Sequence, residues 1–274
     1  MNDSFEKLFD LTGKVALITG GSGIQGKRIA RAFAAHGADV VVVDLDQIKV
    51  NELATSIAED YPVQVRGFVC DVANKAAVDS MVEKTVKEFG KIDILHNNAA
   101  TKSKNPQDFF VPFEEFDFEV WREIMSVNID GMFIVAQSVG KQMVAQGHGG
   151  SIIQTSSTYG IVGPDFRIYE GSEYMGHQIT TPAAYSASKG AVVALTKYLA
   201  TYWGEKGIRV NTLVPGGIES GQNKVFQKNY STRVPLGRMA NADEMVGAVI
   251  YLASEAASYV TGQMLIVDGG WTIR

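Results

Sequence analysis

Short apolar runs alternate along this chain with stretches whose apolar positions recur every three or four residues. The runs are Lys14–Thr19, Asp39–Val43, Val63–Val69, Ile92–His96, Ser151–Thr155, residues 208–214 and Gln263–Val267. Lys14–Thr19 is a short apolar run of the kind a parallel strand covered on both faces requires, and the other segments read as further strands of the same sheet. Between them, helical periodicity covers segments beginning near Lys27 and Asp46, then residues 74–89, 117–146, 183–203 and 241–253. Strands separated by helices predict an α/β fold: a single doubly wound, Rossmann-like domain over residues 1–274, its seven-stranded parallel sheet carrying helices on both faces. Two stretches break the alternation. Residues 101–121 form a loop containing Pro106 and Pro112, and the aromatics Phe109, Phe110, Phe113, Phe116 and Trp121 in it are expected to pack. Residues 219–238 are polar and suit a mobile lid over a ligand.

Ligands of such sheets bind beyond the carboxyl ends of the strands, and the polar residues gather there. After the first strand come Gly20, Gly21, Gly23 and Gly26, then a helical pattern. Glycines at this turn let backbone approach a pyrophosphate, and the helix start offers unpaired N–H groups. The second strand ends in Asp44, 24 residues after Gly20, a spacing at which a carboxylate accepts from an adenosine ribose and repels a 2′-phosphate. NAD is therefore expected over NADP, although Asp44 also suits a helix cap for the segment starting near Asp46. Asp71 closes the third strand, fit either for an adenine amino group or for capping the next helix. Asn97 and Asn98, after the fourth strand, either shape the turn or support the cofactor.

Tyr185 and Lys189 lie four apart on a helical stretch, hence on one face. A phenol titrates near ~10, and a neighbouring ammonium lowers that value, making the tyrosine a proton-transfer group. Asn128 sits within an apolar stretch and needs partners if buried, either tying backbone together or holding water for a proton relay.

Composition narrows the class. With 274 residues, 46% of them hydrophobic, the chain can bury a sizeable core. A net charge of −5 and a pI near 5.5 give no electrostatic footprint for nucleic acid or an anionic membrane. The first residues, MNDSFEKLFDLTGK, carry no apolar run or basic leader, and no segment has the ~18 apolar residues of a membrane span. Cys70 is the only cysteine, which excludes an internal disulfide and fits a reducing compartment. Four scattered histidines make a metal site unexpected. A cytoplasmic globular protein is the expectation.

In their order and spacing these pieces resemble the short-chain dehydrogenase/reductase superfamily over essentially the whole chain. The resemblance rests on the Thr19 glycine loop, Asp71-Val72, Asn97-Asn98-Ala99-Ala100, Val127-Asn128, Ser157, Tyr185-x-x-x-Lys189, Pro215-Gly216-Gly217-Ile218-Glu219-Ser220 and Val267-Asp268-Gly269-Gly270. It implies a catalytic set of Asn128, Ser157, Tyr185 and Lys189. Tyr185 acts as general acid/base, Lys189 lowers its pKa and binds the nicotinamide ribose, Ser157 stabilises charge on the substrate oxygen, and Asn128 anchors water. Ser157 is preferred to Ser156 because Ser157-Thr158-Tyr159-Gly160 matches the family's Ser-x-x-Gly. The cofactor residues implied are Gly20, Gly23, Gln25, Gly26, Asp44, Asp71, Val72, Asn98, Ala99, Pro215, Gly216, Ile218 and Ser220, with Tyr185 and Lys189. A homo-oligomer, tetramer or dimer, is implied as well, with 117–146 and 183–203 at one interface.

The chain departs from the family pattern at three places. Its loop is Thr19-Gly20-x-x-Gly23-x-x-Gly26, the extended-type spacing on a short-type chain, with Ile24 where a glycine is usual. Ala100 stands where the family usually has glycine. Ser157 and Tyr185 are 28 residues apart, against roughly a dozen in most members, so an insertion spans about 164–182 beside the reacting centre. Arg167, Tyr169, Glu170 and His177 within it are candidate substrate residues for a hydroxyl-rich or anionic ligand, unless the segment is a surface flap or subunit contact. The Tyr-Glu-Gly in the insertion is also similar to members of surface-sugar and flagellin-glycan pathways. The expected function is an NAD(H)-dependent secondary alcohol/ketone oxidoreductase with a sugar-like substrate. A 3-oxoacyl-thioester reductase and a non-catalytic dinucleotide sensor are the alternatives, and the complete catalytic set argues against the sensor.

Overall fold

A computed structural model describes residues 5–105 and 107–273; residues 1–4, Pro106 and Arg274, and the expectations that fall on them, lie outside the described residues. Seven parallel strands form the main sheet: β1 Val15–Thr19, β2 Asp39–Asp44, β3 Val65–Val69, β4 Ile94–Asn97, β5 Gly150–Thr155, β8 Ile208–Pro215 and β9 Met264–Val267. Their order is β3-β2-β1-β4-β5-β8-β9, which reverses between β1 and β4 and opens a ligand crevice there. Successive strand residues point to opposite faces. Ala16, Ile18, Val40 and Val42 pack under helices α1 (Ile24–Ala35) and α8 (Val246–Ala253). Val15, Leu17, Val41 and Val43 pack with α3 (Lys75–Phe89), α5 (Met132–Gln146) and α6 (Ala183–Trp203). The helix α2 (Gln47–Asp60) completes the first face through Val50, Ala54 and Ile57.

Several elements differ from the expectation. The long helix over 117–146 is three pieces: α4 Phe118–Met125, a π-turn Ser126–Gly131, and α5. The buried Asn128 lies in the π-turn, where its side chain bonds the backbone of Thr101 across the structure, a contact no local periodicity encodes. The polar stretch 219–238 contains a helix, α7 Lys224–Ser231, capped by Asn223 and burying Tyr230. The insertion holds a 3-10 turn, Phe166–Tyr169, and a two-stranded hairpin, β6 Glu173–Tyr174 with β7 His177–Gln178. Among the described residues no helix is long and apolar enough to cross a membrane.

Candidate active site

Three of the expected catalytic residues, Ser157, Tyr185 and Lys189, converge at the end of β5 and the start of α6, while Asn128 lies in the π-turn. Lys189 is buried, and its Nζ donates to the Thr155 carbonyl at 3.0 Å and lies 5.9 Å from the centre of the Tyr185 ring. Ser157 is buried one residue beyond Ser156, its Oγ accepts from the Tyr159 N–H at 3.2 Å, and it lies beside the Tyr185 side chain, whose ionised form it favours. Ser156 has a different job: its hydroxyl donates to the Lys189 carbonyl at 2.7 Å, lacing α6 to the strand end. That packing is so close that a Cβ on Gly160 would meet the Lys189 backbone at 2.6 Å, which accounts for the glycine of Ser-x-x-Gly. Asn128 takes the Thr101 N–H at 2.7 Å and gives its amide to the Thr101 carbonyl at 3.1 Å. Each of its functional atoms thus makes one bond to backbone, tying Thr101 to the π-turn.

Burial sets the electrostatics of the pair. Burial pushes the Tyr185 phenol above its ordinary range, opposed only in part by the Ser157 hydrogen bond. The Lys189 ammonium is turned to Thr155, and burial lowers the lysine itself to about 8. A cation leaving water for a low-dielectric interior loses hydration that one carbonyl does not replace.

A groove of about 600 Å³ along the ends of β1, β2, β3 and β4 is lined by Gly20, Gly23, Gln25, Gly26, Asp44, Asp71, Val72, Asn98 and Ala99. It fits a dinucleotide. The helix α1 starts at Ile24 with Gly23 as an N-cap that makes no side-chain bond, leaving N–H groups for a pyrophosphate. The buried Gln25 amide nitrogen has no partner among the described residues. Gly26 is dictated by sterics, since a Cβ there would sit 2.1 Å from the Gly20 carbonyl oxygen, and Gly20 has φ +64°. Asp44 is not a helix cap: Asp46 caps α2, and Asp44 accepts from the Ser22 hydroxyl at 2.6 Å, the Ser22 N–H at 3.0 Å and the Leu45 N–H at 2.8 Å. Asp71 accepts from the Ala73 N–H at 3.0 Å, while α3 is capped by Asn74. Asn97 is buried and structural, bonding the Met132 carbonyl and Gln154, each at 2.8 Å.

Pro215, Gly216, Ile218 and Ser220 stand apart from that groove, at the end of β8 beneath α7. A Cβ on Gly216 would lie 2.7 Å from the Asp268 Cα, and Ile218 bridges Ala240. The Ser220 N–H is engaged by Gln222 at 2.7 Å.

The four insertion candidates separate. Arg167 is exposed and forks onto Asp165 at 2.7 and 2.9 Å; Glu170 and His177 are exposed. Only Tyr169 turns inward: it is buried, its ring stacks on Phe226 of α7 at 5.6 Å, and its hydroxyl reaches Tyr159 at 3.4 Å and Thr181. Insertion and α7 form one unit, since Asn229 donates to the Glu170 carbonyl at 2.9 Å and Asn223 to Ser172 at 2.8 Å. Tyr159 and Thr181 were not singled out in the sequence. Their signals were present: Tyr159 lies inside the Ser-x-x-Gly motif, and Thr181 precedes Tyr185 by one helical turn.

Residues 20–272 match the sequence profile of a family described as enoyl-(acyl carrier protein) reductase. D-threitol dehydrogenase of Mycolicibacterium smegmatis is 36% identical over 272 residues, 97% of this chain and 95% of that one. The chain belongs to the short-chain dehydrogenase/reductase superfamily. Among solved members, a gluconate 5-dehydrogenase from Burkholderia cenocepacia, in complex with NADP and tartrate, superposes with a TM-score of 0.85 at 35% identity, covering 98% of each chain. An NAD+-bound xylitol dehydrogenase superposes with a TM-score of 0.82 at 30% identity, covering 95% of this chain and 99% of the other.

Proposed function

We propose that the protein is an NAD(H)-dependent oxidoreductase interconverting a secondary alcohol and a ketone, with a polar substrate of the sugar or polyol class. The observation that carries this is the meeting of Ser157, Tyr185 and Lys189 at the end of β5 and the start of α6, beside a glycine-lined groove that ends in Asp44. The nicotinamide, when bound, supplies the hydride chemistry. Ser157 and Tyr185 hold the substrate oxygen, Ser157 stabilising charge that develops there. Tyr185 passes the hydroxyl proton, and its raised pKa favours the protonated form that donates to a ketone. Lys189, at about 8, carries charge at neutral pH within reach of that exchange. Asn128 fixes the loop after β4 against the π-turn, keeping groove and catalytic helix in register. Asp44 supports NAD over NADP because a carboxylate already anchored by Ser22 and Leu45 would face a 2′-phosphate.

Relatives that act on threitol, gluconate and xylitol support the substrate class. The insertion at about 164–182 and the lid at about 219–238 cover the substrate end. A cytoplasmic homo-oligomer completes the reading, supported by the exposed Phe133 and Val144 of α5 and the stacked, exposed Tyr198 and Tyr202 of α6. The test follows nicotinamide absorbance with polyols, sugars and sugar acids using each cofactor. Tyr185→Phe is expected to lower kcat by ~10²–10⁴-fold, the usual worth of a positioned acid/base. Undiminished turnover in that variant refutes the mechanism.

A further inference from the structure

The unusual spacing of the glycine loop has a counterpart at the end of β2. Two successive N–H groups of the loop turn to that strand: Gly21 donates to the Val43 carbonyl at 3.0 Å, and Ser22 to Asp44 Oδ2 at 3.0 Å. The Ser22 hydroxyl donates to the same Oδ2 at 2.6 Å. Loop and strand are in close contact, since a Cβ on Gly21 would meet the Val42 side chain at 2.8 Å. Gly23 then folds back onto the Gly20 carbonyl at 3.2 Å, and α1 begins at the next residue. A third donor, the Leu45 N–H, reaches Asp44 Oδ1 at 2.8 Å. The direction of all three bonds is fixed by chemistry, because an ionised carboxylate only accepts. Its two oxygens offer about four lone-pair sites in all. Ser22 fills both on Oδ2 and Leu45 fills one on Oδ1, which leaves one acceptor site on a carboxylate that lines the groove. Lys49, whose ammonium feels the Asp44 charge, is paired with Asp46 at 3.0 Å.

We propose that Ser22 is a positioning residue for cofactor choice: it locks Asp44 so that the carboxylate accepts one hydroxyl of an unphosphorylated adenosine ribose and does not swing aside for a 2′-phosphate. Held by the adjacent Leu45 N–H alone, the Asp44 side chain is free to change rotamer and give way. Fixed by three donors, the same charge repels a second anion without that relief. The discrimination therefore belongs to the loop and the strand end together, which gives the altered glycine spacing a function. This rests on the NAD-dependent reading above and deepens it.

The test titrates NADH and NADPH, followed by fluorescence, into the full-length wild type, Ser22→Ala, Ser22→Thr, Asp44→Ala and the Ser22→Ala/Asp44→Ala double variant. Steady-state kinetics with NAD and NADP accompany the titrations. Ser22→Ala is expected to narrow the NADH-over-NADPH affinity ratio by ~10-fold, the worth of one hydrogen bond to a charged group, and the change should appear in KM rather than kcat. Ser22→Thr keeps the hydroxyl and should retain the wild-type ratio. In the Asp44→Ala background, Ser22→Ala should leave the ratio where it is, because the serine acts through that carboxylate. An unchanged ratio in Ser22→Ala, equal losses in the alanine and threonine variants, or additive effects in the double variant overturn the inference alone. Wild-type preference for NADPH, or binding of neither dinucleotide, overturns it together with the NAD reading.

Discussion

Replacing Lys189 with methionine should stabilise the protein at pH 7 while removing its activity. The lysine is 2% exposed, and burial lowers its pKa from 10.5 to about 8. At about 1.36 kcal/mol per pH unit, that drop is a cost of roughly 3 kcal/mol for holding the ammonium in the fold. Methionine is similar in length and carries no charge, but it forfeits the 3.0 Å bond to the Thr155 carbonyl, about 1 kcal/mol. The net expectation at pH 7 is a gain of about 2 kcal/mol, or a Tm higher by about 4–8 °C for a chain of this size. The sign depends on pH. Between about 8 and 10.5 the unfolded chain binds the proton more readily than the folded one, so wild-type stability rises across that window. Above 10.5 the wild type no longer bears the cost, and the variant should be the less stable by about 1 kcal/mol. Thermal or urea unfolding of both proteins at pH 7 and above pH 10 reads this crossing directly. A methionine variant that is less stable at pH 7, or a gap that does not change with pH, refutes the account of Lys189 as a buried charge kept for function.

Asp44→Ala should raise the KM for NAD by ~10-fold or more, the worth of a hydrogen bond to a charged group, while the KM for NADP falls or stays; steady-state kinetics with both cofactors decide it. Asn128→Ala strands the Thr101 N–H and carbonyl that it binds at 2.7 and 3.1 Å, so unfolding should show a loss of about 2–4 kcal/mol, with reduced kcat in the folded fraction. Gly26→Ala forces a methyl to 2.1 Å from the Gly20 oxygen and should weaken dinucleotide binding at least ~10-fold by titration, at a stability cost of about 1–3 kcal/mol.

The sheet was legible because strands buried on both faces are rich in apolar residues, as β1 and β2 are, although β8 also buries Asn211 and Thr212. The glycine loop and the Tyr185–Lys189 pair were legible for a similar reason, a local steric or helical requirement written into adjacent residues. The π-turn was hidden, because its cause is a tie between Asn128 and Thr101, 27 residues apart, with no local signature. Helix α7 was hidden behind Asn, Gln and Lys, its buried contacts reduced to Tyr230 and the Phe226 face. Spacing places Lys189 beside the Tyr185 ring but does not say where its Nζ points.

The insertion meets the same limit, since its residue types do not reveal which side chains turn inward. Its sequence displays Arg167, Glu170 and His177 most conspicuously, and charge counted by residue type favours an anionic substrate. A short-range fork from Arg167 to Asp165 satisfies the guanidinium before any ligand arrives, and Arg233 adds a second cation to the same carboxylate at 3.3 Å. The hairpin Glu173–Gln178 then carries His177 into solvent. What the segment buries is Tyr169, pinned between Phe226 and the Tyr159 and Thr181 hydroxyls. An apolar ring with one neutral donor at its end can be buried without an ion-pair partner, whereas a buried arginine could not. The packing of the insertion on α7 therefore buries a phenol with its hydroxyl partners at the inner end and leaves the charged side chains in solvent.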